Sequence, residues 1–256
     1  MKQPNDYQTV GCKECANGSL LGFDFSMALQ PIVDVRQKTV FAQEALVRGL
    51  AGESAASVFS MVNDSNRYRF DQSCRVKAIK LAAELDVNCM LSINFMPNAV
   101  YKPELCIRTT LDAAEQYGFP INQIIFEITE SEKIENNDHL RNIVKYYQQQ
   151  GFKTAIDDFG AGYSGLNLLA DMQTDLVKLD MALIRHIHLD RTRQTIVKGI
   201  LQVCADLGIE VIAEGIEEAE ELKALEDLGI TLFQGFYFAR PAFQSIAEVP
   251  ASCYNA

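Results

Sequence analysis

Short apolar runs typical of β-strands recur along the chain, and seven of them end in a polar side chain of a kind that binds metal or phosphate. These runs read TVFAQEALVRG, MLSIN, IIFEITE, TAIDDFGAGYSG, LVKLD, IEVIAEGIE and ITLFQG. Between them lie stretches with apolar residues at three- and four-residue spacing, which predicts amphipathic helices. This alternation of strand and helix predicts βα units built on a mainly parallel sheet.

Glycines mark the predicted ends of the helices. PELCIRTTLDAAEQYG opens on Pro103 and closes at Gly118, and three later helical stretches close at Gly151, Gly208 and Gly229. Proline suits a first helical turn and glycine suits the residue that follows the last turn. The stretch SAASVFSMVN and the longer RFDQSCRVKAIKLAAEL are also predicted to be helical.

The first two apolar runs, FSMALQPIVDV and TVFAQEALVRG, are separated only by a polar turn near Arg36 to Lys38. We expect a hairpin here, so one strand runs antiparallel to the rest. With it the chain has eight candidate strands, which favours a closed barrel over an open sheet. The predicted fold is α/β, a (β/α)8 TIM-like barrel with one antiparallel strand, over residues 25–256. Residues 1–24 show no sustained periodicity of apolar residues and are predicted to form a flexible leader.

Composition narrows the functional classes. The 256 residues carry a formal charge of −11, which speaks against nonspecific binding to DNA or to anionic membranes. No apolar run approaches the roughly 18 residues that span a bilayer, and the N-terminus lacks a secretory signal. We therefore expect a cytoplasmic protein with reduced cysteines and no membrane insertion. Cys12 and Cys15 form CKEC, but no second cysteine pair follows at zinc-site spacing, which favours a reduced leader over a zinc site.

Carboxylates dominate the polar strand ends. A closed parallel barrel brings its strand ends to one mouth, so residues far apart in sequence are expected to converge there. Carboxylates held that close repel one another unless cations lie among them, which predicts divalent metal. The alternative for the aspartate pair is a solvated turn that caps the next helix. The converging acids are Glu44, Glu127, Asp157, Asp158 and Glu214.

Other polar residues complete the candidate site. Arg48 lies four residues after Glu44 on the same strand face and can hold a phosphate through its fork of donors, although a cross-strand ion pair is the alternative. Asn94 offers a neutral oxygen to a hard cation, or instead caps a turn. Lys178 lies in an apolar run, where burial requires a partner; it can pair with the acids or orient an attacking water. Glu217 is expected to support a neighbouring ligand.

At these residues the chain resembles the EAL-domain family of cyclic di-GMP phosphodiesterases, in which Glu44-Ala45-Leu46 is the name-giving tripeptide. The similarity runs from about Phe25 through Pro241. Each motif alone is weak, but their joint order is highly specific. In chain order the motifs are QPIVD, EALVRG, SINF, FEITES, IDDFGAGYSG, VKLD, AEGIE and QGFYFARP.

The resemblance implies hydrolysis of cyclic di-GMP to linear pGpG with Mg²⁺ or Mn²⁺, two per active site, in a protein that forms a homodimer. The implied metal ligands are Glu44, Asn94, Glu127, Asp157, Asp158 and Glu214. The implied catalytic residues are Glu44, Asp158, Lys178 and Glu217, and the implied substrate contacts are Gln30, Arg48, Gln234 and Pro241. The implied link between metal site and dimer interface comprises Glu130, Gly160, Gly162 and Ser164.

Two other functions remain open. One is a non-catalytic EAL module that acts as a cyclic di-GMP receptor or binds another protein. The other is an unrelated metal-dependent barrel enzyme, since barrels support many chemistries. The full set of acids favours the phosphodiesterase, and a regulatory partner is possible in either case.

Overall fold

The computed structural model describes residues 21–100, 102–129, 137–162 and 165–254. Two of the predicted coupling residues, Glu130 and Ser164, lie outside these ranges, and so do Cys12 and Cys15.

Strands alternate with helices along the described chain. The strands are β1 (Ser26–Asp34), β2 (Thr39–Arg48), β3 (Met90–Asn94), β4 (Ile124–Thr129), β5 (Lys153–Phe159), β6 (Leu176–Leu179), β7 (Glu210–Ala213), β8 (Leu232–Gln234) and β9 (Ala242–Phe243). The helices are α1 (Ala55–Phe59), α2 (Arg67–Glu84), α3 (Pro103–Cys106), α4 (Arg108–Tyr117), α5 (Asn137–Gln149), α6 (Gly165–Asp171), α7 (Met181–Ile184), α8 (Arg191–Leu207) and α9 (Ala219–Asp227). Single 3₁₀ turns cover Pro97–Ala99, Ile121–Gln123, Ile187–Leu189 and Ala251–Tyr254.

The sheet closes into a barrel. Within the described ranges, β2 to β8 pair side by side in parallel and in chain order. β1 pairs antiparallel with both β2 and β8, which closes eight strands on themselves. This confirms the barrel with one antiparallel strand. β9, which the sequence patterns did not predict, adds to β1 on the outside of the closed ring.

The helix ends follow the glycine pattern with two differences. Gly118 and Gly208 end α4 and α8 in the left-handed conformation, at φ 68° and 71°, as expected. The helix predicted to open on Pro103 is instead split, because α3 ends at Cys106 and α4 begins afresh at Arg108. The prediction of a helix over SAASVFSMVN is wrong for the second half of that stretch, since α1 covers only Ala55–Phe59.

Two layers of side chains fill the barrel interior. The lower one, here called the apolar layer, is a separate hydrophobic cluster made of Ile32, Ala42, Ile125, Ala155, Leu176, Ile212 and Leu232. Side chains alternate between the two faces of a strand, so a step of two residues toward the mouth stays inside the barrel. That step reaches the second layer, here called the polar ring: Gln30, Glu44, Ser92, Glu127, Asp157, Lys178, Glu214 and Gln234.

Candidate metal centre

Lys178 lies at the centre of the polar ring. Its Nζ is 2.6 Å from Glu214 Oε1, 2.8 Å from Glu127 Oε2, 3.1 Å from Asp157 Oδ1 and 3.4 Å from Glu44 Oε2. The lysine side chain is 1% exposed, so its ammonium has exchanged water for carboxylates. Three acids on β2, β4 and β5 and a fourth directly after β7 therefore converge on one cation supplied by β6.

The charges in this cluster shift each other's ionisation. Burial lowers the affinity of Lys178 for its proton, but the surrounding carboxylates outweigh burial and raise its pKa well above the ordinary value. Burial raises the pKa of Glu127 and of Glu214 well above their ordinary range. For Glu44, Lys178 and two amide donors outweigh burial, and the pKa is lowered. The single positive charge of Lys178 is thus too small to stabilise the ionised form of all four surrounding carboxylates.

A bulge lets two adjacent aspartates reach the same mouth. The β5–β6 register shifts between Ile156 and Phe159, and Asp158 adopts the left-handed conformation at φ 56°. Aspartate tolerates this conformation better than most side chains. Burial, together with the neighbouring Asp157 and Asp180 carboxylates, raises the pKa of Asp158 to about 6. The alternative of an open, solvated turn does not describe this pair, because Asp157 is buried and Asp158 half-buried.

The ring acids, together with Asp158, form two overlapping groups that suit divalent cations. Glu44, Glu127 and Asp157 offer oxygens within 4.8 Å of one another, and so do Asp157, Asp158 and Glu214. Asp157 Oδ1 is buried and has an ion pair with Lys178 but no directed hydrogen bond within the described part of the chain. Hard carboxylate oxygens are the donors that Mg²⁺ and Mn²⁺ prefer. The residues therefore fit metal, with Asp157 as the shared member.

Two amide side chains donate hydrogen bonds to Glu44, and a third supports one of them. Asn94 Nδ2 donates to Glu44 Oε1 at 2.8 Å, and Gln234 Nε2 donates to Glu44 Oε2 at 2.7 Å. Gln234 Nε2 also lies 3.4 Å from Gln30 Oε1, and Gln30 Nε2 donates to the Ala239 carbonyl at 3.1 Å. In this arrangement the predicted substrate contacts Gln30 and Gln234 face Glu44 and the backbone, so they hold a carboxylate in place.

Glu217 lies apart from the cluster. Its Oε1 accepts a hydrogen bond from Arg185 Nη2 at 3.0 Å, and its side chain is 49% exposed. Gly215 directly follows Glu214 at φ 69°, and a Cβ there would lie 2.6 Å from Met181 Cβ, so this position requires glycine. The structure thus brings Glu214 into the ring and leaves Glu217 on the loop.

A further acidic group lies beside this loop. Possible ligand atoms lie within 4.8 Å of one another in His186, Glu218 and Glu221. Both carboxylate oxygens of Glu221, however, already accept hydrogen bonds from the backbone. Its Oε1 accepts from the His186 N–H at 2.9 Å, and its Oε2 accepts from the Glu217 N–H at 3.1 Å. Glu221 therefore anchors the loop backbone, which explains its complete burial.

The remaining predicted residues surround the mouth. Arg48 ends β2, and its Nη1 donates to the Val47 carbonyl at 2.7 Å. Gly160 follows Asp158 at φ 100°, and exposed Gly162 lies in the same turn. Pro241 immediately precedes β9 and is half-buried.

Two features were missed in the sequence patterns. Ser92 is fully buried in the polar ring and donates a hydrogen bond to Glu127 Oε1; its position two residues before Asn94 on one strand face was the available signal. A cavity of about 510 Å³ also opens beside Asn94, with a largely apolar wall that includes Leu46, Phe59 and Met96. Its residues come from β1, β2, α1, α2, β3 and the segment directly after β3, so no single motif indicates it.

The family model described as EAL domain matches residues 17–241. Among curated relatives, the blue light- and temperature-regulated antirepressor BluF of Escherichia coli K12 is 33% identical over 223 residues, which cover 87% of this chain and 55% of BluF. The cyclic di-GMP phosphodiesterase PdeR of the same organism is 39% identical over 127 residues, covering 50% of this chain and 19% of PdeR. The chain thus spans about half the length, or less, of these curated relatives.

Two solved structures resemble the whole barrel. A standalone versatile EAL protein from Vibrio cholerae O395, in a c-di-GMP bound form, matches with a TM-score of 0.88 and 58% identity, covering 91% of this chain and 99% of that one. The manganese/cy-diGMP complex of Klebsiella pneumoniae BlrP1 matches with a TM-score of 0.84 and 41% identity, covering 88% of this chain and 58% of that one.

None of the helices in the described ranges is long and apolar enough to cross a membrane.

Proposed function

The chain belongs to the EAL-domain family, and from that premise we propose that it hydrolyses cyclic di-GMP to linear pGpG with divalent metal. The observation that carries the proposal is the buried set of carboxylates around Lys178, which has the donor chemistry of a two-metal site. It is supported by the name of PdeR and by the manganese and cyclic dinucleotide in the BlrP1 complex.

The acids at the mouth would bind the cations, and Lys178 has a separate role. Glu44, Glu127 and Asp157 would hold one cation, and Asp157, Asp158 and Glu214 a second, with Asn94 beside Glu44. When bound, Mg²⁺ or Mn²⁺ supplies Lewis-acid polarisation of a phosphate oxygen and a lowered pKa for water. Lys178 stabilises the negative charge that grows at the phosphate and orients the attacking water.

The reaction balances as a simple hydrolysis. A water oxygen forms a new bond to one phosphorus, and the bond from that phosphorus to the ribose 3′ oxygen breaks. The leaving 3′ oxygen gains one proton, which balances the proton that the water loses. Arg48, at the end of β2, positions the phosphate through its planar fork of donors. The largely apolar cavity beside Asn94 has room for one base of the dinucleotide.

The setting of this activity is also part of the proposal. Cys74, Cys106 and Cys204 are free and buried, which fits a reducing, cytoplasmic compartment. We propose a homodimer in which the turn at Gly160 and Gly162 couples the metal site to the interface, as the resemblance implies. A regulatory partner remains compatible with this assembly.

A chromatographic time course with purified protein tests the function. Wild-type protein with Mg²⁺ or Mn²⁺ should convert cyclic di-GMP to pGpG, and chelation with EDTA should stop the reaction. Glu44→Ala should lose turnover by at least about a thousandfold, beyond the ten- to hundredfold loss typical when only an outer partner of a ligand is removed. Glu115→Ala, which changes an exposed carboxylate on α4, serves as the matched control and should retain full activity.

Other outcomes separate the alternatives. Tight binding of cyclic di-GMP without product would replace the enzyme with a receptor. Near-wild-type rates in Glu44→Ala would contradict the assignment of the site. Neither binding nor turnover would point to a protein-interaction role.

A further inference from the structure

Ser92 is the hydroxyl member of the polar ring. It lies on β3, pairs in register with Glu44 on one side and Ile125 on the other, and is fully buried. Its Oγ donates a hydrogen bond to Glu127 Oε1. The other oxygen of that carboxylate, Oε2, accepts from Lys178 Nζ at 2.8 Å.

The two oxygens of Glu127 therefore have different partners. A carboxylate with a partner on only one oxygen can rotate about its last torsion, which is soft and broad. Here the Ser92 hydroxyl fixes Oε1 toward β3, so Oε2 is turned toward Lys178 and the shared member Asp157. Removal of this donor would leave a buried carboxylate oxygen without its hydrogen bond, and a polar group buried in that way is destabilising.

We propose that Ser92 is a positioning residue for the metal centre, which orients the Glu127 carboxylate for the divalent cation and acts through it. This inference rests on the proposed function. Groups that orient a ligand from outside the coordination sphere raise metal affinity and preserve its geometry. Ser92 adds no charge to the polar ring, and its hydroxyl donates to Glu127, so it acts on the metal centre through that carboxylate.

Direct metal binding tests this role without substrate. Isothermal titration with Mn²⁺ should show that Ser92→Ala binds about ten- to hundredfold more weakly than wild type. Ser92→Thr, which retains a hydroxyl, should recover most of that affinity. Thr110→Val is the matched control, since Thr110 is equally buried on α4 and its hydroxyl has no hydrogen-bond partner within the described residues. It should bind Mn²⁺ as wild type does.

Kinetics provide the second readout. If Ser92 orients a ligand, Ser92→Ala should lower kcat for cyclic di-GMP while KM changes by less than about threefold, because the lost interaction matters in the transition state. If Ser92→Ala does not fold, Ser92→Cys keeps the volume and supplies a weaker donor, so the same loss in Mn²⁺ affinity is expected in smaller measure.

The outcomes separate this inference from the proposed function. Unchanged Mn²⁺ affinity and kcat in Ser92→Ala would overturn the positioning role and leave the phosphodiesterase standing. Weaker Mn²⁺ binding in Ser92→Ala, in a protein that never turns over cyclic di-GMP, would support the positioning role while the function fails. Equal losses in Ser92→Ala and Thr110→Val would reduce Ser92 to a general packing effect and overturn the inference.

Discussion

The apolar layer and the polar ring lie two residues apart along the same strands, yet burial has opposite effects on them. In the apolar layer every member is an aliphatic side chain, and together they form a closed cluster inside the barrel. In the polar ring the same strand faces carry four carboxylates and a lysine that is 1% exposed. Burial stabilises the first layer and strains the second, because charges lose their hydration there.

This contrast explains how a barrel supports a charged centre. Seven aliphatic side chains at the base exclude water and fix the spacing of the strands. Carboxylates two residues further along are then held close together whether or not they repel. The apolar layer therefore supplies the rigidity, and the polar ring supplies the charge that draws a divalent cation. A substitution in the apolar layer should therefore leave the affinity of the polar ring for a divalent cation largely unaltered.

The largest effect on folding is expected from Lys178→Met. Removal of one partner from a buried ion pair typically costs about 3–5 kcal/mol, because the remaining charges are left uncompensated. The free energy of unfolding at pH 8, measured in urea with EDTA present, should fall by that amount. Lys80→Met, at an exposed ion pair on α2, is the control and should change it by less than about 1 kcal/mol.

The loss in Lys178→Met should also depend on pH. Burial raises the pKa values of Glu127 and Glu214 and Lys178 lowers them, so without the ammonium these two pKa values rise further above the unfolded value of about 4. A raised carboxyl pKa in the folded state gives stability that is present at low pH and lost as pH rises through that pKa. Unfolding at pH 5 should therefore show a smaller deficit than at pH 8. An equal deficit at both values would mean that the acids are not coupled to Lys178.

Ile125→Ala is expected to have a smaller effect on stability. Ile125 is 1% exposed in the apolar layer, and truncation of a buried isoleucine costs about 2–5 kcal/mol through lost burial and a residual cavity. Mn²⁺ affinity of the folded protein should stay within about threefold of wild type, the reverse of the Ser92→Ala signature. Ile196→Ala, half-exposed on α8, should change the free energy of unfolding by less than about 0.5 kcal/mol. A large loss of metal affinity in Ile125→Ala would break the separation of the two layers.

The pH dependence of metal binding should show the mildest effect. Burial and the neighbouring Asp157 raise the pKa of Asp158 to about 6 from an ordinary value of 3.8. Metal binding requires the ionised carboxylate, so protonation of Asp158 should lower Mn²⁺ affinity by about tenfold per pH unit below 6, and the raised pKa values of Glu127 and Glu214 should extend the pH dependence above 6. Asp158→Asn should bind more weakly, and its affinity should fall less steeply than that of wild type below pH 6. A wild-type affinity that is flat between pH 5 and 7 would contradict the shift.

The fold could be predicted largely from alternation, because strand and helix periods differ and glycines end the helices. The metal ligands could be listed from strand ends, since parallel strands share one mouth. What the patterns could not supply was geometry beyond the strand. The left-handed conformation of Asp158 allows both aspartates to lie at the mouth. The left-handed turn at Gly215 lies between Glu214 and Glu217, and Glu217 contacts Arg185 instead. Ser92 escaped notice because a single hydroxyl in an apolar run is a weak signal, and only its position two residues before Asn94 places it on the same strand face.

Metal stoichiometry tests the central claim most directly. Asp157 belongs to both groups of ring acids, so its loss should damage both metal positions. Isothermal titration of wild-type protein with Mn²⁺ should reveal two ions per chain, and Asp157→Asn should bind neither with comparable affinity. Unaltered binding of two ions by Asp157→Asn, or no binding by the wild-type protein, would contradict the assignment of the polar ring as a metal centre.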